Sequence, residues 1–326
     1  MYANPTNRVY SSRFASFVIC GDIRMHKSVL LQEVIDGLNI KSGDVVVDGT
    51  LGGGGHTEEI LKRFGNKVSI IGIDLDKDAI ERTKSRISKL GDNIRYTEGS
   101  FRNIDKILQS LGVEKVDKIL LDIGLSSNQF EDSGRGFSFQ KDEPLLMSFK
   151  NLSAQAVDLT EEDLTAREIV NTWDLENIAT IIKSYGEERF AWKIAKAIVA
   201  RRELRPIETT FDLVEITKTA TPKWYHTRRI HPATKTFQAL RITVNDEIES
   251  LKEGIAKGFE YLNKDGRLAV ISFHSLEDRV VKQFFKDKYS RDEATIVTKK
   301  PIIPTIEEIR ENPRSRSAKL RIIEKI

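Results

Sequence analysis

The densest chemistry in the sequence is the word Asp48-Gly49-Thr50-Leu51-Gly52-Gly53-Gly54-Gly55-His56, five glycines held between an acid and a histidine. Glycines let a backbone adopt positive φ and approach a ligand closely. Three ligand classes compete for such a loop. A P-loop ends in Gly-Lys-Ser/Thr, and this word ends in Gly-Gly-His with no lysine. A dinucleotide fingerprint, G-x-G-x-x-G/A, fits Gly52 and Gly54 but meets Thr57 in its last slot. S-adenosylmethionine carries no phosphate and needs neither feature. Asp48 opening the loop, the glycines, and a second carboxylate at the tip of the next strand suit it. Asp74 lies 20 residues after Gly54, where it can accept hydrogen bonds from ribose hydroxyls. Further along, Phe101 offers a ring to an adenine, or simply packs in the core, and Asp122 ends a fourth apolar run. By itself the loop marks a nucleotide-like ligand without fixing which one.

These residues need elements that bring them together. Residues 44–48, 68–73, 93–97 and 117–121 read as strands, and each runs into one of the candidate positions. Val45, Val46 and Val47 form the continuous apolar run of a strand covered on both faces. Between them, residues 57–64, 78–90 and 104–111 carry apolar side chains at helical spacing, and Gly65 and Gly91 stop the first two. This alternation predicts a doubly wound parallel sheet whose strand tips form one rim. From about 132 to 235 no buried strand is legible; residues 165–172, 177–184, 187–202 and 211–219 read as helices. Then residues 232–262 contain a long helix, 267–273 a strand and 276–288 a helix, with 294–298 and 320–324 as a closing antiparallel pair. The expected organisation is a disordered extension over 1–24, an α/β domain over 25–131 and 236–326, and a helical insertion over 132–235.

Composition narrows the partners. The chain has 326 residues and one cysteine, Cys20, so no intrachain disulfide and no multi-cysteine metal site can form. No metal is expected. A reducing cytoplasm fits, and no run reaches the roughly 18–20 apolar residues of a membrane helix. Residues 189–241 hold 12 Lys/Arg against 4 Asp/Glu, a net of +8, while the rest of the chain holds 40 against 45. A basic block on a slightly acidic body is either a solvated helical face or a site for a polyanion such as nucleic acid.

Several longer words are similar to those of one family. Beside DGTLGGGGH (48–56) stand DIGLSSNQ (122–129), GRGFSF (134–139), HPATKTFQALR (231–241), SFHSLEDR (272–279) and NPRSRSAKLR (312–321). Together they resemble the bacterial 16S ribosomal RNA (cytosine-N4)-methyltransferases, from about His26 to Lys325. The resemblance implies an α/β fold of the class I methyltransferase (Rossmann-like) kind, a mostly parallel sheet with an inserted helical domain for substrate recognition. It implies S-adenosyl-L-methionine as donor and a cytidine in the decoding region of 16S rRNA, in the small ribosomal subunit, as acceptor. Carried over by position, the cofactor contacts are Gly54, Gly55, His56, Asp74, Phe101, Asp122 and Gln129, beside Asp48 from the loop reading. A homodimer is compatible with the sequence, which fixes no oligomeric state. One word departs: the family reads Asp-Gly-Pro-Leu-Asp-Met then a basic residue, and here Asp142-Glu143-Pro144-Leu145-Leu146-Met147 precedes Ser148-Phe149.

The chemistry implied is alignment more than activation. A cytosine amine is a poor nucleophile because its lone pair is delocalised into the ring, whereas a methyl on a sulfonium is strongly electrophilic. The protein must line up the two and supply an acceptor that draws the lone pair out of conjugation. Asp122, helped by Ser126 or Ser127, is the candidate; His231 and His274 are candidates on the acceptor side. Trp224 and Tyr225, interleaved with Lys223, Arg228 and Arg229, either stack bases or pack the insertion. Arg314, Arg316, Lys319 and Arg321 form a second basic run able to track an RNA backbone. On residues alone, a nicotinamide oxidoreductase and a non-catalytic RNA-binding protein with a retained pocket stay open.

Overall fold

The computed structural model describes residues 28–124, 134–149, 164–228 and 230–326. Seven strands form one sheet in the order β3-β2-β1-β4-β5-β7-β6. They are β1 (Val45–Asp48), β2 (Ser69–Asp74), β3 (Ile94–Glu98), β4 (Val116–Asp122), β5 (Leu262–Ser272), β6 (Ala294–Ile296) and β7 (Lys319–Lys325). β1 to β5 run parallel, while β7 is antiparallel to both β5 and β6. The chain reverses its walk across the sheet between β1 and β4, the place where open α/β sheets bind ligands. Asp48 pairs with Leu120, so Asp122 projects two residues beyond it at that switch point.

Alternation of side chains across each strand feeds two cores. Val46, Ile70, Leu120, Ala269 and Ile271 pack with Val34, Leu38 and Ile60 from helices Leu31–Leu38 and Gly55–Phe64. Val47, Ile71, Ile119, Leu121 and Val270 pack with Leu251, Ile255, Phe259 and Phe285 from helices Glu247–Tyr261 and Ser275–Ser290. Burial on both faces is why these strands read as continuous apolar runs rather than alternating ones.

A third core belongs to helices. Ile169, Ile178, Ile182, Ile194, Ile198 and Leu213 meet in a cluster that runs from Phe137 to Leu240. It joins helices Ala166–Thr172, Leu175–Ser184, Ala191–Arg202 and Thr210–Ala220 to helix Thr234–Asn245. The single helix expected over 232–262 is therefore two. Asp246 adopts a left-handed conformation (φ 47°, ψ 43°) between helices Thr234–Asn245 and Glu247–Tyr261. Asp tolerates that region better than most residues. The break lets one helix face the helical core, through Phe237 and Leu240, and the next face the sheet, through Leu251 and Phe259.

Candidate active site

The glycine word folds as a turn between β1 and helix Gly55–Phe64. Its backbone is tied to the sheet: Gly49 N–H donates to Leu120 O (2.9 Å) and Leu51 N–H to Ile73 O (2.9 Å). Gly54 has φ 67°, and a Cβ there would collide with Thr83, so only glycine fits that position without displacement. Asp48 is buried beneath the loop, where its carboxylate accepts from Thr57 Oγ1 (2.7 Å) and Thr50 N–H (3.3 Å). It braces the turn and is not on the wall of the cleft above it. Burial pushes its carboxyl up to about 6 against the two hydrogen bonds.

That cleft is walled by the loop from Gly49 to His56, by Asp74, Phe101 and Asp122, and by residues from distant segments. Asp74 sits at the tip of β2, where Oδ2 accepts from Gly52 N–H (2.7 Å) and Oδ1 from Asp76 N–H (2.8 Å). Its carboxylate is thus fixed in orientation with lone pairs left over, and burial raises its pKa. Phe101 does two jobs: it lies on the wall, and its ring packs over Gly254 so closely that a Cβ there would clash.

Asp122 is a strongly perturbed group on the wall. Its backbone N–H donates to Thr50 Oγ1 (2.7 Å), which ties the tip of β4 to the glycine turn. Its Oδ1 is buried with no hydrogen-bond partner, and its Oδ2 lies 3.9 Å from His56 Nδ1. Burial, then the charges of Asp48 and Glu277, push its carboxyl up to about 7. The His56 Nε2–H donates to Val29 O (3.1 Å), because a carbonyl can only accept. In a neutral imidazole that leaves Nδ1 as the acceptor, turned toward Asp122.

Two candidates lie elsewhere. His231 stacks on Phe139 at 4.6 Å, and its Nδ1 accepts from Ala233 N–H (3.2 Å); burial, Lys218 and His226 lower its pKa. His274 caps helix Ser275–Ser290: its Nδ1 accepts from Glu277 N–H while the Glu277 carboxylate accepts from His274 N–H (3.2 Å) and Phe273 N–H (2.7 Å). Neither histidine lines the cleft, although Phe273 does. Ser126, Ser127 and Gln129 lie outside the described residues, as does the extension over 1–24. Glu247, His274 and Glu277 bring their oxygens and nitrogens within 4.8 Å, the one such group among the described residues. Glu247 is already held by Arg241 through two 2.8 Å contacts and Glu277 by the capping amides, while His274 Nε2 is buried without a hydrogen-bond partner.

Sequence reasoning missed part of the wall. Phe149, Asn245, Glu247, Ser250, Asn312 and Arg314 all contribute to it. Asn245 also holds the Met147–Phe149 stretch, accepting from Phe149 N–H and donating to Met147 O, both at 2.7 Å. The helix break at Asp246 was the missing signal: without it Asn245 and Glu247 are two ordinary positions in one helix. The second basic run also divides. Arg314 faces the cleft, whereas Lys319 and Arg321 are ion-paired to Asp278 at 3.0 and 2.7 Å.

The donor set fits a sulfonium nucleoside. Asp74, Asp122 and Glu247 put three carboxylates on the wall against Arg314 as its one Lys or Arg among the described residues. With no lysine among the described residues of that wall, the cleft offers no phosphate cradle and suits a nucleoside without phosphates. The fixed Asp74 carboxylate, the open glycine backbone and the Phe101 ring match ribose, close approach and adenine. Asp122 Oδ1 is an unsatisfied buried acceptor, which a bound group with N–H bonds would satisfy.

Residues 24–326 match the model of the MraW methylase family. A Clostridium botulinum (strain Kyoto / Type A2) protein named Ribosomal RNA small subunit methyltransferase H is 47% identical over 316 residues, spanning 92% of this chain and 99% of that one. A protein of the same name from Clostridioides difficile (strain 630) is 43% identical over 316 residues, spanning 92% and 99%. Among solved structures, a putative rRNA-methylase from Clostridium thermocellum aligns over 92% of this chain and 99% of its own at 13% identity and a TM-score of 0.43.

Proposed function

The chain belongs to the MraW methylase family, and from that premise we propose that it is an S-adenosylmethionine-dependent methyltransferase that modifies N4 of a cytidine in the decoding region of small-subunit ribosomal RNA. The small subunit is its macromolecular partner, and the cytoplasm is where the two meet. Among the described residues no helix is long and apolar enough to cross a membrane. The observation that carries the chemistry is the buried, unpartnered Asp122 Oδ1 at the sheet's switch point, in a cleft rich in carboxylates.

When bound, S-adenosylmethionine supplies a methyl group already made electrophilic by its sulfonium. Asp74 holds the ribose hydroxyls, Phe101 covers the adenine, and the loop from Gly52 to Gly55 lets the nucleoside lie against bare backbone. The resemblance adds Gln129 to the cofactor contacts, and Ser126 or Ser127 are the candidates to help Asp122. Asp122 Oδ1 accepts one N–H of the cytosine amine, which orients the nitrogen and draws its lone pair out of the ring. With a carboxyl near 7, Asp122 is also placed to take the proton that the amine gives up after methylation. His56 lies beside it, with Nδ1 turned toward Asp122 Oδ2 at 3.9 Å. A base inside structured RNA reaches this cleft only when unstacked. The helical segment over 132–235 is the part we assign to gripping the RNA around it. His231 holds local structure in that segment through the Phe139 stack, and His274 does so in the α/β domain through its helix cap, rather than at the reacting atoms.

The reading is tested by incubating the protein with isotopically labelled cofactor and small subunits that lack the modification, then digesting the RNA for nucleoside mass spectrometry. Labelled N4-methylcytidine supports it; label in no nucleoside, or only in another one, refutes it.

A further inference from the structure

Two of the three tryptophans, Trp192 and Trp224, are more than half exposed, and both lie on the helical segment. Trp224 sits in the short helix Lys223–His226 with two guanidinium groups against its ring: Arg189 at 5.9 Å and Arg228 at 5.3 Å from the centroid. The ring is braced from below. Phe190 and the buried Tyr225 meet it edge-on at 6.0 and 5.8 Å. The Tyr225 hydroxyl donates to buried Glu188 Oε2 at 2.5 Å, and Glu188 Oε1 accepts from Phe190 N–H. So of the aromatic pair in the sequence, Tyr225 packs and Trp224 faces water.

The charges around this ring lack internal partners. Neighbouring arginines on the segment are ion-paired, Arg201 and Arg205 to Asp212 and Arg167 to Glu208. Among the described residues no carboxylate lies in ion-pair distance of Arg189 or Arg228, whose contacts are to the rings. The cluster is also tied to the cleft. Glu187, two residues before Arg189, accepts from Ser275 Oγ (2.6 Å) and Arg279 (2.8 Å). Ser275 begins the helix that follows Phe273 on the cleft wall.

We propose that Arg189, Trp224 and Arg228 form a stacking platform for an unpaired base of the RNA substrate, next to the base that enters the cleft. The proposal rests on the reading of the chain as an RNA methyltransferase. A half-exposed indole beside two guanidiniums with no carboxylate in ion-pair distance offers single-stranded RNA a ring face and two donors to phosphate in one place. Bases stack on the indole or on a guanidinium plane, and phosphates meet the charges. A double helix offers phosphates but no free base face. An acidic peptide would use the charges and leave the ring unused.

The test uses the full chain, a fluorescent 12-nucleotide single-stranded RNA of mixed sequence, and a duplex DNA of equal length, with affinities read by anisotropy. Trp224→Ala should weaken RNA binding about 10-fold, within the range for losing one base stack, and leave duplex DNA binding unchanged. Trp224→Phe should restore most of the loss. Arg189→Gln with Arg228→Gln should reduce the salt slope by about two phosphate contacts. Calorimetric affinity for S-adenosylmethionine, unchanged in each variant, shows that the fold is intact. Unaltered RNA affinity in Trp224→Ala overturns the platform, as does an equal loss for RNA and duplex DNA, or a Phe variant as weak as the Ala one. Methyl transfer to small subunits separates this from the broader reading. Transfer by Trp224→Ala with an unchanged KM for subunits sinks the platform alone. Absence of any transfer by the unaltered protein, with the binding series as expected, sinks the assigned reaction and keeps the platform.

Discussion

Replacing Asp122 with asparagine should disable the enzyme while making its unliganded form more stable, and the gain should grow with pH. An aspartate in an unfolded chain titrates near 3.8; in the fold Asp122 titrates near 7, because burial comes first and the charges of Asp48 and Glu277 add to it. Between those two values the native state keeps a proton that the unfolded chain has released, so stability falls as pH rises through that window and stays low above it. At about 1.4 kcal/mol per pKa unit, the ionised carboxylate costs on the order of 4 kcal/mol above pH 8. The part of that cost which changes between pH 5 and pH 8 is about 2–3 kcal/mol. Asparagine keeps the shape, cannot ionise, and removes that part. Any fixed packing difference cancels when the two pH values are compared. The assay is urea unfolding of both proteins without cofactor at pH 5 and pH 8, beside single-turnover methyl transfer. The variant should gain about 2–3 kcal/mol more at pH 8 than at pH 5, and its transfer rate should fall at least about 100-fold. A stability difference that is the same at both pH values refutes the perturbed carboxyl, and a near-normal rate refutes its role.

Other consequences follow from the same geometry. For the unaltered enzyme, single-turnover transfer should rise with pH through about 7 as Asp122 loses its proton, and a rate flat from pH 6 to 8 would contradict this. Asp74→Ala should weaken S-adenosylmethionine binding by roughly 10- to 100-fold in calorimetry, the range for removing hydrogen bonds to a charged acceptor. Gly54→Ala should destabilise the fold by about 1 kcal/mol or more and reduce cofactor affinity, since the new Cβ meets Thr83 at a positive φ; thermal melting reads the first and calorimetry the second. His274→Ala should lower stability by about 1 kcal/mol through its lost helix cap and change kcat by less than a few fold, because the residue is off the cleft.

Much of this architecture is legible in the order of the amino acids. β1, β2 and β4 are buried on both faces, so Val45–Asp48, Ser69–Asp74 and Val116–Asp122 announce themselves as apolar runs that end in an acid. A parallel sheet then forces the three acids to one edge, and the glycine turn between Asp48 and His56 marks which edge matters. The features that escape such a reading are non-local or carry no pattern. Helix Ile306–Glu311 has no buried residue, so it leaves no apolar period to read. The break at Asp246 is invisible because Asn, Asp and Glu are all tolerated in a helix, and the cost of the left-handed residue is offset by two cores that its sequence neighbours do not reveal. Asn245, Glu247 and Phe149 reach the wall only through that break. Asp48 is legible as an acid at a strand tip, but which way its carboxylate turns depends on Thr57 and Thr50, and these take it beneath the loop. Lys319 and Arg321 look like free charge because their partner, Asp278, is over 40 residues away.

The central claim is that the strand tips hold one sulfonium nucleoside with Asp122 Oδ1 facing the amine to be methylated. A crystal structure with S-adenosylhomocysteine and cytidine measures this directly. The account predicts both ribose hydroxyls of the nucleoside on the Asp74 carboxylate and the cytosine N4 about 3 Å from Asp122 Oδ1. A cytosine whose N4 points away from Asp122, or a nucleoside bound without Asp74, would contradict it.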